Sequence, residues 1–256
     1  MTQGLAGRHA LVTGGGRGIG AAIARGLAAQ GARVTLLGRN ALQLAETAAA
    51  LPGKAGTVAA DVTDAAQVQQ AFAEAQKQAG EIHILVNNAG RPASRAMPKS
   101  DEDFWQQMLA VNLTGSYHCA QAALPAMLAA NWGRIVNISS TAGLRGYAYC
   151  TAYCAAKHGV VGMTRALALE LAKTGITVNA VCPGYTDTGI VRDAIANISA
   201  RTGRSETEAR ETLVSFNPQQ RLVRPEEVAN TVAWLCLPGT ESITGQSIAI
   251  AGGEVT

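Results

Sequence analysis

Short apolar runs alternate with longer segments of helical periodicity along the whole chain. The apolar runs have the length and composition of buried strands, and they begin near His9, Arg33, Thr57, His83, Gly133, Thr177 and Ser247. Helical patterns between these runs include residues 64–79, 101–131 and 151–172. This alternation predicts an α/β fold with one Rossmann-like, doubly wound parallel sheet of about seven strands and helices on both faces.

The length and composition of the chain fit one domain. Its 256 residues are enough for a sizeable core, and a hydrophobic content of 48% excludes general disorder. The sequence shows no linker, internal repeat or low-complexity tract. We therefore expect a single domain over residues 1–256.

Four segments rich in glycine or polar residues directly follow predicted strands. They cover residues 14–20, 87–90, 139–140 and 183–188. In a parallel sheet with helices on both faces, ligands bind beyond the carboxyl ends of the strands. We therefore expect these segments to meet in one site, although they are far apart in the sequence.

The first of these segments reads Gly14-Gly-Gly-Arg-Gly-Ile-Gly20 and precedes a helical pattern. Such a turn lets backbone N–H groups approach a pyrophosphate, and the N-terminus of the following helix adds a partial positive charge. The spacing Gly14-x-x-x-Gly18-x-Gly20 differs from the G-x-G-x-x-G spacing of the common dinucleotide fingerprint. For this motif alone, a flexible turn without a ligand is the alternative.

Tyr153 and Lys157 lie four residues apart on a predicted helix, so the ammonium group is next to the phenol and favours its ionised form. Ser140 ends the predicted strand that begins at Gly133, which places a hydroxyl near the phenol if strand and helix pack together. This set suits acid–base chemistry on an alcohol or a carbonyl. By itself, a Tyr-x-x-x-Lys pair on a solvated helix is common.

Taken together and in order, these motifs resemble the short-chain dehydrogenase/reductase family. The residues that carry the resemblance are Thr13–Gly20, Asp61, Val62, Asn87–Gly90, Asn112, Ser140, Tyr153, Lys157, Pro183, Gly184, Ile243–Gln246, Gly252 and Gly253. Residues 139–188 are most similar to ketoreductases of polyketide and 3-oxoacyl thioester metabolism. The resemblance implies reversible hydride transfer between a nicotinamide cofactor and a ketone or secondary alcohol. The substrate it implies is a 3-oxoacyl thioester of the CoA type or a bulky ketone.

The resemblance also implies four catalytic residues. Tyr153 would donate the proton, and Ser140 would hydrogen-bond the same substrate oxygen. Lys157 would lower the pKa of Tyr153 and bind the ribose of the cofactor. Asn112 would hold a water that relays the proton, although a satisfied core amide is the alternative for this residue.

Two other groups of side chains near the catalytic tyrosine have chemistry of their own. Tyr147 and Tyr149 lack a lysine four residues further on, so we expect them to be pocket walls. Cys150, Cys154 and His158 fall on one helical stripe, which raises the question of a metal site. Because no supporting carboxylate is nearby in the sequence, helix packing is favoured and no metal site is predicted.

The cofactor-binding residues implied by the resemblance come from every motif. Asp61 and Val62 would meet the adenine, and the proline-glycine segment would hold the nicotinamide carboxamide. The full set is Gly14, Gly16, Arg17, Gly18, Ile19, Gly20, Arg39, Asp61, Val62, Asn88, Ala89, Gly90, Tyr153, Lys157, Pro183, Gly184, Thr186 and Thr188. A peptide-capping aspartate and an ordinary turn are the alternatives for Asp61 and for the proline-glycine segment.

The end of the second strand bears on the choice of cofactor. It reads Gly38-Arg39-Asn40, where an NAD site would present an acid to the ribose 2′-hydroxyl. Arg39 and Arg17 suit a 2′-phosphate instead, because guanidinium groups match phosphate oxygens. NADP(H) is therefore the preferred cofactor and NAD(H) a possible one. An NAD-linked alcohol or hydroxyacyl-CoA dehydrogenase is the alternative function.

A polar, helical insertion around 189–221 lies where the resembled family carries its substrate lid. Its arginines would meet the phosphates of a CoA arm, and they are Arg192, Arg201, Arg204 and Arg210. Neighbouring glutamates dilute this charge, so a solvated helical face is the alternative. Acyl-carrier-protein reductases of the resembled family often show basic residues just before the strand that ends in the catalytic serine. Here residues 129–134 contain a single basic residue, Arg134, which favours CoA thioesters or free ketones.

Charge and hydropathy exclude several partners. The net charge is +3 without a basic cluster that contains aromatic residues, so we expect no nucleic acid. No apolar run reaches the roughly 18 residues of a membrane span, and the N-terminus lacks the apolar stretch of a signal peptide. The sequence has five cysteines, an odd number that cannot all pair in disulfides within one chain, and this suits free thiols in a reducing compartment. We therefore expect a cytoplasmic protein that does not bind membranes.

Two apolar elements predict self-association. Residues 242–253 end the chain on a strand without a covering helix, and the helix over 151–172 is apolar around much of its circumference. In the resembled family these elements form a homotetramer of 222 symmetry.

A non-catalytic, dinucleotide-sensing protein is the alternative from another class, but it would lack Tyr153 or Lys157.

Overall fold

The computed structural model describes residues 4–255, apart from the side chain of Arg201, and it contains a seven-stranded parallel sheet. The strands are β1 His9–Thr13, β2 Arg33–Gly38, β3 Ala55–Ala59, β4 Ile84–Asn87, β5 Gly133–Ile138, β6 Ile176–Pro183 and β7 Ser247–Ile250. Their order is β3-β2-β1-β4-β5-β6-β7. The predicted doubly wound sheet is confirmed, with β3 beginning two residues before the position predicted from the sequence.

Helices flank the sheet on both faces. They are α1 Gly18–Ala29, α2 Ala41–Ala49, α3 Ala65–Ala79, α4 Glu102–Leu109, α5 Gly115–Ala129, α6 Thr151–Glu170, α7 Gly189–Thr202, α8 Glu206–Val214 and α9 Pro225–Cys236. No helix among residues 4–255 is long and apolar enough to cross a bilayer.

Strand side chains alternate between two apolar cores. Val12 of β1 packs with Ile23 of α1 and Val232 of α9 on one face of the sheet. Its neighbour Leu11 packs with Phe72 of α3 on the other face. This alternation follows from the two-residue period of a strand, and it explains why the strands read as continuous apolar runs.

The helical pattern over 101–131 does not form one regular helix. Between α4 and α5 lies a π-helical turn, Ala110–Thr114, with the fully buried Asn112 at its centre. A π turn adds one residue to the helical repeat and often marks a functional position. The predicted helical stretch over 101–131 therefore contains a widened turn, which apolar periodicity does not distinguish from the α-helix around it.

The polar segments meet at the carboxyl edge of the sheet, as predicted. The strand order reverses between β1 and β4, and this switch point is where ligands bind in open α/β sheets. The insertion after β6 forms α7 and α8 and returns to the loop after β6 through an isolated bridge between Thr186 and Val223.

Candidate active site

The glycine turn after β1 has no room for side chains. Gly14 and Gly18 have φ angles of 63° and 55°, in the left-handed region that favours glycine. A Cβ on Gly14 would lie 2.9 Å from the Asn88 side chain, and one on Gly20 would overlap the Gly14 carbonyl. Helix α1 therefore begins tightly against the turn. The side chain of Arg17, the N-cap residue of α1, makes no capping hydrogen bond, and the first turn of the helix contains no acidic residue. The first backbone N–H groups of α1 can therefore donate to a bound anion.

Thr13 and Asn88 connect the glycine turn to the loop after β4. The Thr13 hydroxyl accepts from the N–H groups of Asn88 (3.0 Å) and Ala89 (2.9 Å). In return, the Asn88 amide donates to the carbonyls of Thr13 (3.0 Å) and Gly14 (3.2 Å). Sequence reasoning gave Thr13 no role, although a threonine at the end of a strand is a suitable acceptor for a neighbouring loop.

The loop after β6 faces the glycine turn. Thr186 and Thr188 are buried, and the Thr186 hydroxyl donates to the Gly184 carbonyl at 2.9 Å. A Cβ on Gly18 would lie 3.3 Å from Cγ2 of Thr188. The structure therefore brings two predicted cofactor segments to either side of one cleft.

The two serines after β5 have different surroundings. Ser139 is buried, and its hydroxyl donates to the main-chain carbonyl of Lys157 at 3.0 Å. Ser140 is partly exposed, and its hydroxyl accepts from the N–H of Ala142 at 3.1 Å. Only Ser140 is also within hydrogen-bonding reach of the Tyr153 phenol. The strand and helix therefore pack as predicted, with Ser140 as the hydroxyl next to the phenol.

Lys157 is buried on α6, and its ammonium donates to the carbonyl of Ile138 at 2.8 Å. Burial lowers the pKa of Lys157 to about 8. The expected lowering of the Tyr153 pKa by Lys157 does not outweigh the effect of burial. Burial raises the pKa of Tyr153 to about 12 against an opposing hydrogen bond with Ser140. The Lys157 nitrogen is 5.9 Å from the centre of the Tyr153 ring and points its donor at the strand instead.

Asn112 lies beside Lys157 on the other side of Gly90. Its side-chain oxygen accepts from the N–H of Arg91 (3.0 Å), and its amide donates to the carbonyls of Arg91 and Met108 (both 3.1 Å). A Cβ on Gly90 would lie 2.7 Å from the Asn112 oxygen and 3.6 Å from the Lys157 nitrogen. The Asn112 side chain thus has its hydrogen bonds satisfied, as in the alternative considered from the sequence, and it lies on the opposite side of Gly90 from Lys157.

The residues predicted at the adenine end are more exposed. Nη1 of Arg39 lies 3.7 Å from a carboxylate oxygen of Asp61, and 75% of the Arg39 side chain is accessible. Asp61 accepts from the N–H (3.0 Å) and hydroxyl (2.9 Å) of Thr63, which is the capping contact considered as its alternative role. Asn40 caps α2. The end of β2 therefore presents an arginine and a capping amide to the cleft rather than an acid.

An aromatic group near Tyr153 was only partly predicted. The rings of Tyr147 and Tyr185 both contact Phe216, at centroid distances of 5.9 and 5.7 Å. Tyr147 contacts the Thr141 hydroxyl (2.8 Å) and donates to the carboxylate of Glu254. Sequence reasoning missed Tyr185, Phe216 and Glu254. Aromatic residues make up only 4% of the sequence, so each ring near a motif could have been considered as part of the site. Nothing in the sequence pointed to Glu254.

Tyr149 differs from Tyr147. It is 67% exposed and has a φ angle of 66°, and its main-chain carbonyl accepts from the N–H of Arg95 at 2.8 Å. Strain of this kind at a non-glycine residue is uncommon. The structure therefore places Tyr149 at the surface of the loop before α6, so the prediction that it forms a pocket wall is not supported.

The stripe of Cys150, Cys154 and His158 is occupied by contacts within α6. Nδ1 of His158 lies 2.9 Å from the carbonyl of Cys154. The five cysteines are free thiols. Within residues 4–255, no group of three or more His, Cys, Asp or Glu side chains is arranged to hold a metal ion.

Comparisons with known proteins agree on one family. A family model described as short chain dehydrogenase matches residues 8–199. Granaticin polyketide synthase putative ketoacyl reductase 1 of Streptomyces violaceoruber is 42% identical over 95% of this chain and 92% of its own length. D-beta-hydroxybutyrate dehydrogenase of Cupriavidus necator is 37% identical over 98% of this chain and 99% of its own length. A crystal structure of an actinorhodin polyketide ketoreductase variant with NADPH matches with a TM-score of 0.93 at 39% identity, covering 99% of this chain and 98% of that one.

Proposed function

The chain belongs to the short-chain dehydrogenase family, and on this basis we propose that it transfers a hydride reversibly between NADP(H) and a ketone or secondary alcohol. The observation that supports the proposal best is that Ser140, Tyr153 and Lys157 lie together at the carboxyl edge of the sheet, where Lys157 adjoins Gly90 of the loop that contacts the glycine turn. The experiment that tests it is NADPH oxidation by the purified protein with acetoacetyl-CoA, a cyclic ketone and an aryl ketone. The same panel with NADH gives the cofactor preference.

The residues of the cleft fit a dinucleotide. The glycine turn and the open N-terminus of α1 would bind the pyrophosphate, and the loop containing Thr186 and Thr188 would hold the nicotinamide end. When bound, the reduced cofactor supplies the hydride. The remaining chemistry is proton transfer and charge stabilisation by side chains of this chain.

Tyr153 donates its proton to the carbonyl oxygen as negative charge develops there, and Ser140 donates a hydrogen bond to the same oxygen. The raised pKa of the phenol keeps it protonated until that charge forms, so it is ready to act as an acid. Lys157 supplies a fixed positive charge one helical turn away that stabilises the phenolate left behind. The three side chains thus have complementary roles in one step.

The proton of Tyr153 has to be replaced after each reduction. We place Asn112 and Lys157 on that route, because both lie against Gly90 beside the phenol. Since the Asn112 side chain is already satisfied by Arg91 and Met108, the water it serves would bind a main-chain carbonyl of the π turn. A π turn redirects main-chain groups and suits this role.

NADP(H) is favoured over NAD(H) by the charges at the end of β2. Arg39 is exposed, and its ion pair with Asp61 is long at 3.7 Å and therefore weak, which leaves the guanidinium able to turn toward a 2′-phosphate. Arg17 at the N-cap of α1 is exposed as well. The related polyketide ketoreductase crystallised with NADPH supports this assignment. An NAD-linked alcohol or hydroxyacyl-CoA dehydrogenase is the second candidate, which the hydroxybutyrate dehydrogenase relative favours.

The proposed substrate is a 3-oxoacyl thioester of the CoA type or a bulky ketone. Helices α7 and α8, within residues 189–221 of this single domain, would form its lid, and the ketoacyl reductase relatives support the class. Of the lid arginines, Arg192 pairs with Asp187 at 3.0 Å. Arg204 and Arg210 are exposed and would meet the phosphates of a CoA arm. The side chain of Arg201 lies outside the described residues.

We also propose a cytoplasmic homotetramer. Leu169 is an exposed apolar side chain on the predicted interface helix α6, and other exposed apolar side chains lie on α5 and α9, namely Tyr117, Leu128 and Trp234. Strand β7 lies at the edge of the sheet, beside a groove of about 800 Å³ that includes Gln246 and Ala249. Exposed apolar patches and open sheet edges both favour association. Light scattering at micromolar concentration tests this proposal, and a monomer mass would refute it.

A further inference from the structure

Glu254 is held near the candidate active site by residues from two loops. Its carboxylate accepts from the Tyr147 phenol, which belongs to the loop after Ser140. The other carboxylate oxygen lies against Gly184, where a Cβ would be 3.0 Å away. Gly184 belongs to the loop that would bind the nicotinamide. Glu254 therefore lies between the substrate side and the cofactor side of the cleft.

The aromatic group connects this carboxylate to the catalytic phenol. Tyr147 stacks edge-on against Phe216, and Phe216 stacks against Tyr185. Besides burial, the charge of Glu254 raises the pKa of Tyr185, and Tyr185 in turn raises the pKa of Tyr153. Tyr185 is therefore close to both residues. A substrate whose carbonyl reaches Tyr153 would thus extend its substituent along these rings toward Glu254.

The negative charge of Glu254 is only partly balanced. Arg145 is the cation that acts on it, and its guanidinium contacts the main-chain carbonyl of Glu254 at 3.5 Å. Tyr147 and Tyr185 are the titratable groups that face the carboxylate from the two loops, and Arg145 and Arg165 line the groove beside β7 together with Glu254. Burial raises the pKa of Glu254. An additional negative charge placed beside the partly buried carboxylate would meet repulsion.

We propose that Glu254 is a specificity-determining residue that selects against substrates with a carboxylate close to the reacting carbonyl and favours their neutral esters and thioesters. The selection acts by repulsion, which is how many sites distinguish otherwise similar ligands. The inference rests on the proposed function and extends it by stating the charge of the preferred substrate. The preferred substrate is then a neutral ester or thioester and not the free 3-oxo acid with the same carbon skeleton.

The test compares ethyl acetoacetate with acetoacetate, a neutral and an anionic form of one 3-oxoacyl frame, with NADPH as the reductant. The wild-type protein is expected to have the higher kcat/KM with the ester. In Glu254→Gln, which keeps the size and the hydrogen-bond acceptor, the ratio of kcat/KM for acetoacetate to that for the ester should rise about tenfold or more. Glu74→Gln, which removes an exposed carboxylate on α3, should leave the ratio unchanged.

A second measurement does not depend on the variant folding. Lowering the pH protonates Glu254 before acetoacetate, since the pKa of Glu254 is raised and free carboxylic acids titrate near about 4. The wild-type ratio should therefore rise as the pH falls toward 5. An unchanged ratio in both measurements, or a wild-type preference for acetoacetate, would overturn the inference. Failure of the wild-type protein to reduce any ketone or thioester would instead refute the proposed function.

Discussion

The hydroxyl of Ser139 donates a hydrogen bond to the main-chain carbonyl of Lys157, at 3.0 Å. The Lys157 ammonium donates in the other direction, to the carbonyl of Ile138 at 2.8 Å. Both bonds join the end of β5 to Lys157 of α6. Because Ser139 is used in this connection, Ser140 is the serine available to a substrate.

The two serines should therefore respond differently to replacement by alanine. Ser140→Ala removes a hydrogen bond to the developing charge and should lower kcat about 100-fold or more, with little change in melting temperature. Ser139→Ala removes a buried structural hydrogen bond and should cost about 1–2 kcal/mol of unfolding free energy. Urea unfolding and steady-state kinetics on both variants check the pair. A reversed pattern would show that the serine assignment is wrong.

Lys157 should destabilise the fold at neutral pH. Its pKa is about 8 in the folded protein and 10.5 as the ordinary value, so folding a charged lysine costs most below pH 8. This cost disappears as the pH rises from 8 to 10.5, because the unfolded chain loses the proton that the folded chain has already lost. Lys157→Met should thus be more stable than the wild type at pH 7 by about 1 kcal/mol, after the loss of the bond to Ile138, and inactive.

Thermal unfolding at pH 7 and at pH 10 measures this effect. The advantage of Lys157→Met should shrink or reverse at the higher pH. The expectation is contradicted if the stability of Lys157→Met relative to the wild type is lower at pH 7 than at pH 10.

Arg39 should distinguish the two cofactors. Arg39→Ala should weaken NADPH binding by about 1–3 kcal/mol through the loss of a charge-assisted phosphate contact, and weaken NADH binding much less. Titration of nicotinamide fluorescence with both cofactors measures the difference. Equal losses would mean that Arg39 does not contact the 2′-phosphate.

His9 should make the fold sensitive to acid. It is fully buried, with its ring between the Gly80 carbonyl (2.7 Å) and the Thr35 hydroxyl (2.8 Å), and burial lowers its pKa below the usual 6.5. The folded protein therefore resists protonation of His9, and stability falls as the pH drops below 6.5. His9→Gln should flatten this slope in urea unfolding between pH 7.5 and 5. The exposed control His158→Gln should keep the slope, and an unaltered slope in His9→Gln would exclude His9 as the cause.

The convergence of distant motifs was predictable from the sequence. Each motif directly follows an apolar run, and parallel strands place their carboxyl ends at one edge, so the glycine turn, Asn88 and Ser140 meet without any further information. The difference between Ser139 and Ser140 was harder to predict. Adjacent strand residues point to opposite sides, but which side faces α6 depends on how strand and helix pack.

Other features depend on tertiary contacts that no local pattern records. The π turn around Asn112 is stabilised by the Arg91 backbone, twenty-one residues earlier. Glu254 reaches Tyr147 because Gly252 and Gly253, with φ angles of 60° and 94°, redirect the chain after β7. Burial raises the pKa of Tyr153 and lowers that of Lys157, and helical spacing could not predict either shift because it indicates proximity but not burial.

The most direct test of the proposed function is Tyr153→Phe, measured for NADPH affinity and for turnover with the best ketone of the panel. The substitution removes only the proton donor and keeps the ring. We predict a dissociation constant for NADPH within about twofold of the wild-type value, and a kcat lowered about 1,000-fold or more. A variant that binds NADPH normally and retains a substantial fraction of wild-type turnover would contradict the assignment of Tyr153 as the catalytic acid.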